Sequence, residues 1–231
     1  MKRILLKLSG EFLKNETDLW DLEKINAVVD QLKRLHNEGF QLALVVGGGN
    51  IFRGGRNACD FDRCNADEIG MAATCLNALF LRACFQKFEL PAVVFGTSLC
   101  GGNIEAFNLE RIRQCLVNRT VALFAGGTGH AFFSTDTAAA LRACEIKADL
   151  LLKATDVDGI FNKDPKRFSD AKRFEHLTYE EACEGHYAVM DACSFELCRE
   201  QQMPLFVFNV NRPNAIYEAA HGQGCGTRVG A

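Results

Sequence analysis

Two hydrophobic rhythms alternate along the chain. Short, nearly continuous apolar runs at 3–8, 41–46, 92–95, 121–125, 149–153 and 205–208 predict strands covered on both faces, as in a parallel sheet. Longer stretches between them repeat every three to four residues. Leu22, Ile25, Val28, Val29, Leu32 and Leu35 share one stripe that stops at Gly39, and a second helix is expected from about 67 to 85. A third opens at Asp136-Thr137-Ala138-Ala139-Ala140-Leu141. Thr178-Tyr179-Glu180-Glu181 has the form of a capping box, and Pro213 reads as the first-turn proline of the last helix. Strands alternating with helices give an α/β fold: a three-layer αβα sandwich around a central, mostly parallel sheet. There is no internal repeat or Pro/Ser-rich linker, so residues 1–231 are expected to form a single domain.

Composition narrows the function classes. A hydrophobic share of 48% against 24% charged residues excludes a disordered chain, and a net charge of −3 argues against broad nucleic-acid or membrane-surface binding. A phosphorylated small molecule needs only a few cations in one pocket. The eleven cysteines are odd in number, none is spaced Cys-x-x-Cys, and Cys75, Cys84 and Cys144 fall on apolar helix faces. They read as free thiols in a reducing compartment rather than as disulfides or a metal site. The basic start is cut short by Lys7, and no run approaches the roughly 20 apolar residues of a membrane span. A cytoplasmic protein is expected, with no metal held by the chain itself.

The candidate chemistry sits at three strand ends. The first strand leads into Lys7-Leu8-Ser9-Gly10-Glu11 and the second into Gly47-Gly48-Gly49-Asn50, then Arg53-Gly54-Gly55. The 121–125 strand leads into Gly126-Gly127-Thr128-Gly129, with Ser134-Thr135-Asp136 opening a helix. Glycines there let backbone N–H groups approach an anion, and ligands of open α/β sheets bind at the carboxyl ends of strands. One such turn is more often a tight connection. Three on one edge, two carrying Lys7 and Arg53, suit a polyphosphate. The Gly-x-x-x-x-Gly-Lys-Ser/Thr loop, the Gly-x-Gly-x-x-Gly spacing and the protein-kinase signatures are all absent.

These segments resemble the amino acid kinase superfamily. Within it, Asp67-Glu68-Ile69-Gly70-Met71-Ala72-Ala73-Thr74 resembles the bacterial UMP kinase branch. So do Lys153-Ala154-Thr155-Asp156-Val157-Asp158-Gly159-Ile160-Phe161 with Asp164-Pro165, and Val189-Met190-Asp191. The likeness runs from Arg3 to Thr227. It implies the amino acid kinase fold and transfer of the γ-phosphoryl group of ATP to UMP, with Mg²⁺ carried on the ATP and a homohexamer built from dimers. It implies an ATP site at Lys7, Leu8, Ser9, Gly10, Gly49, Arg53, Thr155, Phe161 and Asp164. The UMP site would include Gly48, Asp67, Thr128, Gly129, His130, Ala131, Phe132, Phe133, Ser134 and Thr135.

Among these, Lys7, Arg53, Asp136 and Lys153 form the expected catalytic set. Lys7 and Arg53 would supply positive charge to the phosphates. Asp136 is expected to organise Lys7 and Lys153 rather than act as a base, because a phosphate oxygen carries no proton to remove at neutral pH. Its simpler reading is a helix N-cap, that of Asp67 is also a helix cap, and that of Lys153 is a solvated strand-end residue. Phe132-Phe133 reads more readily as core than as a base-stacking pair, and His36 and His176 as surface.

Two departures from the family pattern stand out. His130-Ala131 replaces Asn-Pro in the acceptor loop, which loosens it and adds a titratable donor. Lys14-Asn15-Glu16-Thr17-Asp18-Leu19-Trp20 is shorter than the glycine-rich loop of many relatives and lacks glycine, which argues against activation by GTP. The rival readings are a sibling kinase acting on a carboxylate, disfavoured by the Asp67 helix, and a nucleotide-binding protein without catalysis, disfavoured by Lys7, Arg53 and Asp136.

Overall fold

The computed structural model describes residues 2–53, 60–97, 101–185, 187 and 189–230. Its strands are β1 Arg3–Leu8, β2 Gln41–Val46, β3 Ala92–Gly96, β4 Ile104–Ala106, β5 Val121–Ala125, β6 Leu150–Thr155, β7 His176–Leu177, β8 Leu205–Asn209 and β9 Gly226–Val229. The helices are α1 Gly10–Leu13, α2 Leu22–Asn37, α3 Arg63–Lys87, α4 Leu109–Val117, α5 Thr135–Glu145, α6 Tyr179–Glu184, α7 Ala192–Glu200 and α8 Ala215–Ala220. One sheet runs in the order β4-β3-β5-β2-β1-β6-β8-β9-β7, and every pairing in it is parallel except β8 with β9.

Strand period sorts side chains into two cores. Ile4, Leu6 and Leu8 of β1 face the layer of α2, α3 and α8, together with Leu32, Phe85 and Ile216. Leu5 faces the other way, toward Ala139, Ala143, Phe195 and Cys198 of α5 and α7. This is the expected three-layer sandwich. A fully buried side chain such as Phe85 or Ile4 contributes about 1.5–3 kcal/mol by leaving water.

Several expectations need correction. By length and composition α3 is apolar enough to cross a membrane. It serves as a core helix against β3 and β5, with a buried, hydrogen-bonded Asn77 at its centre. Pro213 lies ahead of the last helix rather than in its first turn: α8 begins at Ala215, after an Asn214 with φ of 56°. Asparagine tolerates that left-handed turn, and Arg34 holds its side-chain oxygen at 2.8 Å. The capping box at Thr178 and Glu181 forms as the spacing predicts. Among the described residues Cys64, Cys84, Cys115, Cys144, Cys183, Cys193, Cys198 and Cys225 are free thiols.

Candidate active site

Lys7 and Lys153 occupy the strand positions after Leu5 and Leu151 on the α5 face, where the period would place an apolar residue. Both are buried, and they stand in register on adjacent parallel strands. Burying two ammonium groups requires a counter-charge, and α5 brings it. Asp136 Oδ1 lies 2.8 Å from Lys7 Nζ and also accepts a hydrogen bond from Lys153 Nζ.

Burial alone would raise the Asp136 carboxyl, but the two ammonium groups outweigh it and hold it below its ordinary range. The Lys153 ammonium is pushed down to about 7, first by burial and then by the charge of Lys7, with Asp136 opposing both. Lys153 is therefore neither solvated nor at a strand end.

Asp136 is not the cap of α5. Ser134 is, its Oγ accepting from the N–H groups of Asp136 at 2.9 Å and Thr137 at 3.2 Å. Asp136 stands two residues past that cap, still in the first turn, where the helix dipole favours a negative charge and its own side chain stays free for the lysines.

The glycine segments pack backbone against backbone. Gly47 N donates to Leu8 O at 2.9 Å. A Cβ on Gly10 would come within 2.6 Å of Gly47 O and Gly49 N, and one on Gly48 would meet Gly70 O at 2.7 Å. Only glycine permits these approaches. Ser9 caps α1 through its Oγ, and Arg53 Nε pairs with Glu11 at 3.0 Å. The Leu8 side chain is fully buried in the core, so only its backbone is available to the site. Gly54 and Gly55 lie outside the described residues.

Three hollows follow this strand edge. One, of about 450 Å³, is walled by Lys7, Ser9, Lys24, Arg53 and Lys153. It continues through Thr155, Asp156 and Val189 into a second of similar volume beside Phe161, Asp164 and Tyr187. The third, of about 270 Å³, lies between Gly48, Arg63, Asp67, Phe133, Ser134 and Thr135. Its wall residue Thr135 is the neighbour of Asp136, so one helix turn touches both the lysine pair and this third hollow.

Asp67 is not a cap either: Asp62 starts α3. Asp67 Oδ2 accepts from the Phe132 backbone N–H and from Arg63 Nε, both at 2.7 Å. Phe132 has φ of 73°, and both phenylalanines are exposed, at 66% and 50%, rather than core. The strained turn that hands the Phe132 N–H to Asp67 leaves the two rings in solvent. Ala131 walls none of these hollows. Thr128, Gly129 and His130 line a separate one of about 810 Å³, which shares Phe133 with the hollow beside Asp67.

His36 is half-buried, its Nε2 2.7 Å from Arg119 O, and His176 is exposed. Sequence reasoning passed over Lys24, Arg63, Tyr187 and Asn77. Arg63 had a usable signal, since it stands one helical turn before Asp67. Asn77 carried none, because a lone asparagine in an apolar helix does not announce that it bonds Gly47 O and Asn50.

A model of the amino acid kinase family matches residues 2–209. The uridylate kinase of Francisella tularensis subsp. holarctica is 44% identical over 232 residues, covering 99% of this chain and 93% of that protein. The solved UMP kinase from Ureaplasma parvum superposes with a TM-score of 0.94 at 33% identity, covering 100% of this chain and 99% of its own. That from Bacillus anthracis gives 0.95 at 31%, covering 99% and 96%.

Proposed function

Since this chain belongs to the amino acid kinase family, we propose that it is a UMP kinase, transferring the γ-phosphoryl group of ATP to UMP to give ADP and UDP. The observation that carries this reading is the shared Asp136 carboxylate, which sets two buried ammonium groups at the inner end of a long cleft, one residue from a smaller pocket.

The adenosine of MgATP lies along Thr155, Phe161 and Asp164, and its phosphates meet Ser9, Gly10, Gly49, Lys7, Arg53 and Lys153. UMP enters the smaller pocket. Asp67 accepts hydrogen bonds from the ribose, while Gly48, Phe133, Ser134 and Thr135 surround the phosphate and base. A UMP phosphate oxygen attacks the γ-phosphorus as the bond to the β-phosphate oxygen breaks. No base is required. The protein positions the two nucleotides and neutralises charge spread over the transferred oxygens. Asp136 keeps Lys7 and Lys153 in place and leaves one net positive charge among the three groups.

The chain acts as one domain in a cytoplasm whose reducing conditions suit its free thiols. It assembles as a homohexamer, and Ile69 and Leu76, exposed two turns apart on α3, offer apolar surface for such contacts. The decisive assay is ADP release with MgATP across UMP, CMP, dTMP, glutamate and no acceptor. Turnover confined to UMP is expected. Turnover on glutamate alone would replace this reading with an amino acid kinase, and none at all with a binding protein.

A further inference from the structure

Val189-Met190-Asp191 has no task in the reaction just described, yet it touches both halves of the site. Val189 lines both parts of the donor cleft. Two residues on, the Asp191 carboxylate reaches across to the first turn of α5. Its Oδ2 accepts from Ser134 Oγ, and its Oδ1 accepts from Thr137 Oγ1 at 2.8 Å and from Ser194 N at 3.0 Å. We propose that Asp191 is a positioning residue for the acceptor side of the site, fixing Ser134 and through it Thr135 and Asp136; the proposal rests on the UMP kinase reading above.

The chemistry of the hydroxyl gives the reason. Ser134 has one proton and two lone pairs. A carboxylate at 191 can only accept, so it takes that proton and leaves both lone pairs to the N–H groups of Asp136 and Thr137. An asparagine would turn an NH₂ toward Ser134 or Thr137. Facing Ser134, it would demand a third acceptance from one oxygen.

Capping α7 needs only the Ser194 N–H, which shares Oδ1, whereas Oδ2 is committed to Ser134. The two helices are joined independently, because Ala139 and Ala143 of α5 belong to the same core as Phe195 and Cys198 of α7. Loss of the carboxylate is therefore expected to loosen the first turn of α5 without undocking α7.

The test compares the unaltered enzyme with Asp191→Asn, Ser134→Ala and the double variant, measuring KM for UMP and ATP, kcat, calorimetric UMP binding and the melting temperature. Expected for Asp191→Asn is a roughly tenfold weaker UMP KM and Kd and a kcat lowered by about tenfold, with the ATP KM within about twofold. The double variant should be no worse than the poorer single one. A lowered melting temperature with unchanged kinetic constants, or effects of the two variants that multiply, would overturn the proposal. If Asp191→Asn does not fold, Ser134→Ala reads the same link with the α7 cap intact, and an unchanged UMP KM there overturns it as well. Absence of UMP turnover in the unaltered enzyme would sink the acceptor reading instead, a separate result.

Discussion

Lys7 and Lys153 are partners in register on neighbouring parallel strands, and both reach the same oxygen of Asp136. The arrangement holds two like charges side by side in a buried place, and the carboxylate between them is what makes it tolerable.

Asp136→Asn should therefore cut kcat on the order of 10²–10³-fold, because the lysines lose their fixed geometry at the transferred phosphoryl. Lys153 gives up its proton rather than stay charged beside Lys7, so the fold should survive with a lower melting temperature. Steady-state kinetics beside a thermal melt check this. An unchanged rate would show the carboxylate to be dispensable.

The depressed Lys153 makes a pH signature. In the free enzyme its charge is lost as pH rises through about 7. Bound triphosphate favours the ammonium and moves that loss upward. kcat/KM for ATP should fall above about pH 7, while the limb in kcat lies at higher pH. Lys153→Arg, which stays charged, should lack the limb in kcat/KM; retention of the same limb would place it on another group. Stability runs the other way. Between about 7 and the unfolded value of 10.5 the unfolded chain holds a proton that the folded one does not, so this residue's contribution improves as pH rises across that window.

Gly48→Ala places a Cβ 2.7 Å from Gly70 O and 2.8 Å from Ala73 Cβ. Backbone and a core helix cannot both yield, so the loop is expected to shift at a cost of about 1–3 kcal/mol. Because Gly48 walls the pocket beside Asp67, the UMP KM should rise more than the ATP KM. Denaturant melts and both KM values test this, and an equal rise in the two would argue against the pocket assignment.

Asp67→Ala removes the acceptor that holds the Phe132 N–H and Arg63. The 128–134 loop then loses its tie to α3. UMP affinity should weaken by about tenfold or more, as expected when a charged hydrogen-bond partner is lost, with ATP binding unaffected. Calorimetry with each nucleotide separates the two.

The parts of the molecule legible in the chain are those with a strong local signal. Runs such as Leu42–Val46 are apolar on both faces, so they could only be inner strands, and the glycine turns marked the strand edge along which the hollows lie. β4, β7 and β9 were not legible, because two to four residues carry too little periodicity. Asp136 as organiser could be expected, but Ser134 as the true cap could not, since Ser, Thr and Asp in succession can each cap a helix. The exposure of Phe132 depends on a left-handed residue and a partner 65 positions away, neither of which composition records. Arg63, by contrast, sat in plain view.

Trp20 is the single tryptophan of the chain. Its ring stacks on Phe80 with centroids 4.3 Å apart, and its Nε1–H donates to Asn77 Oδ1 at 2.8 Å. The same asparagine donates to Gly47 O at 2.7 Å. The indole is thus two hydrogen bonds from the glycine loop that walls the pocket beside Asp67. Excited near its absorption edge, the protein should emit from one site and in one colour, and any tightening of that loop should move the emission without an added dye. Asn77→Ala would leave the fluorophore in place and cut the wire, so nucleotide would then titrate silently.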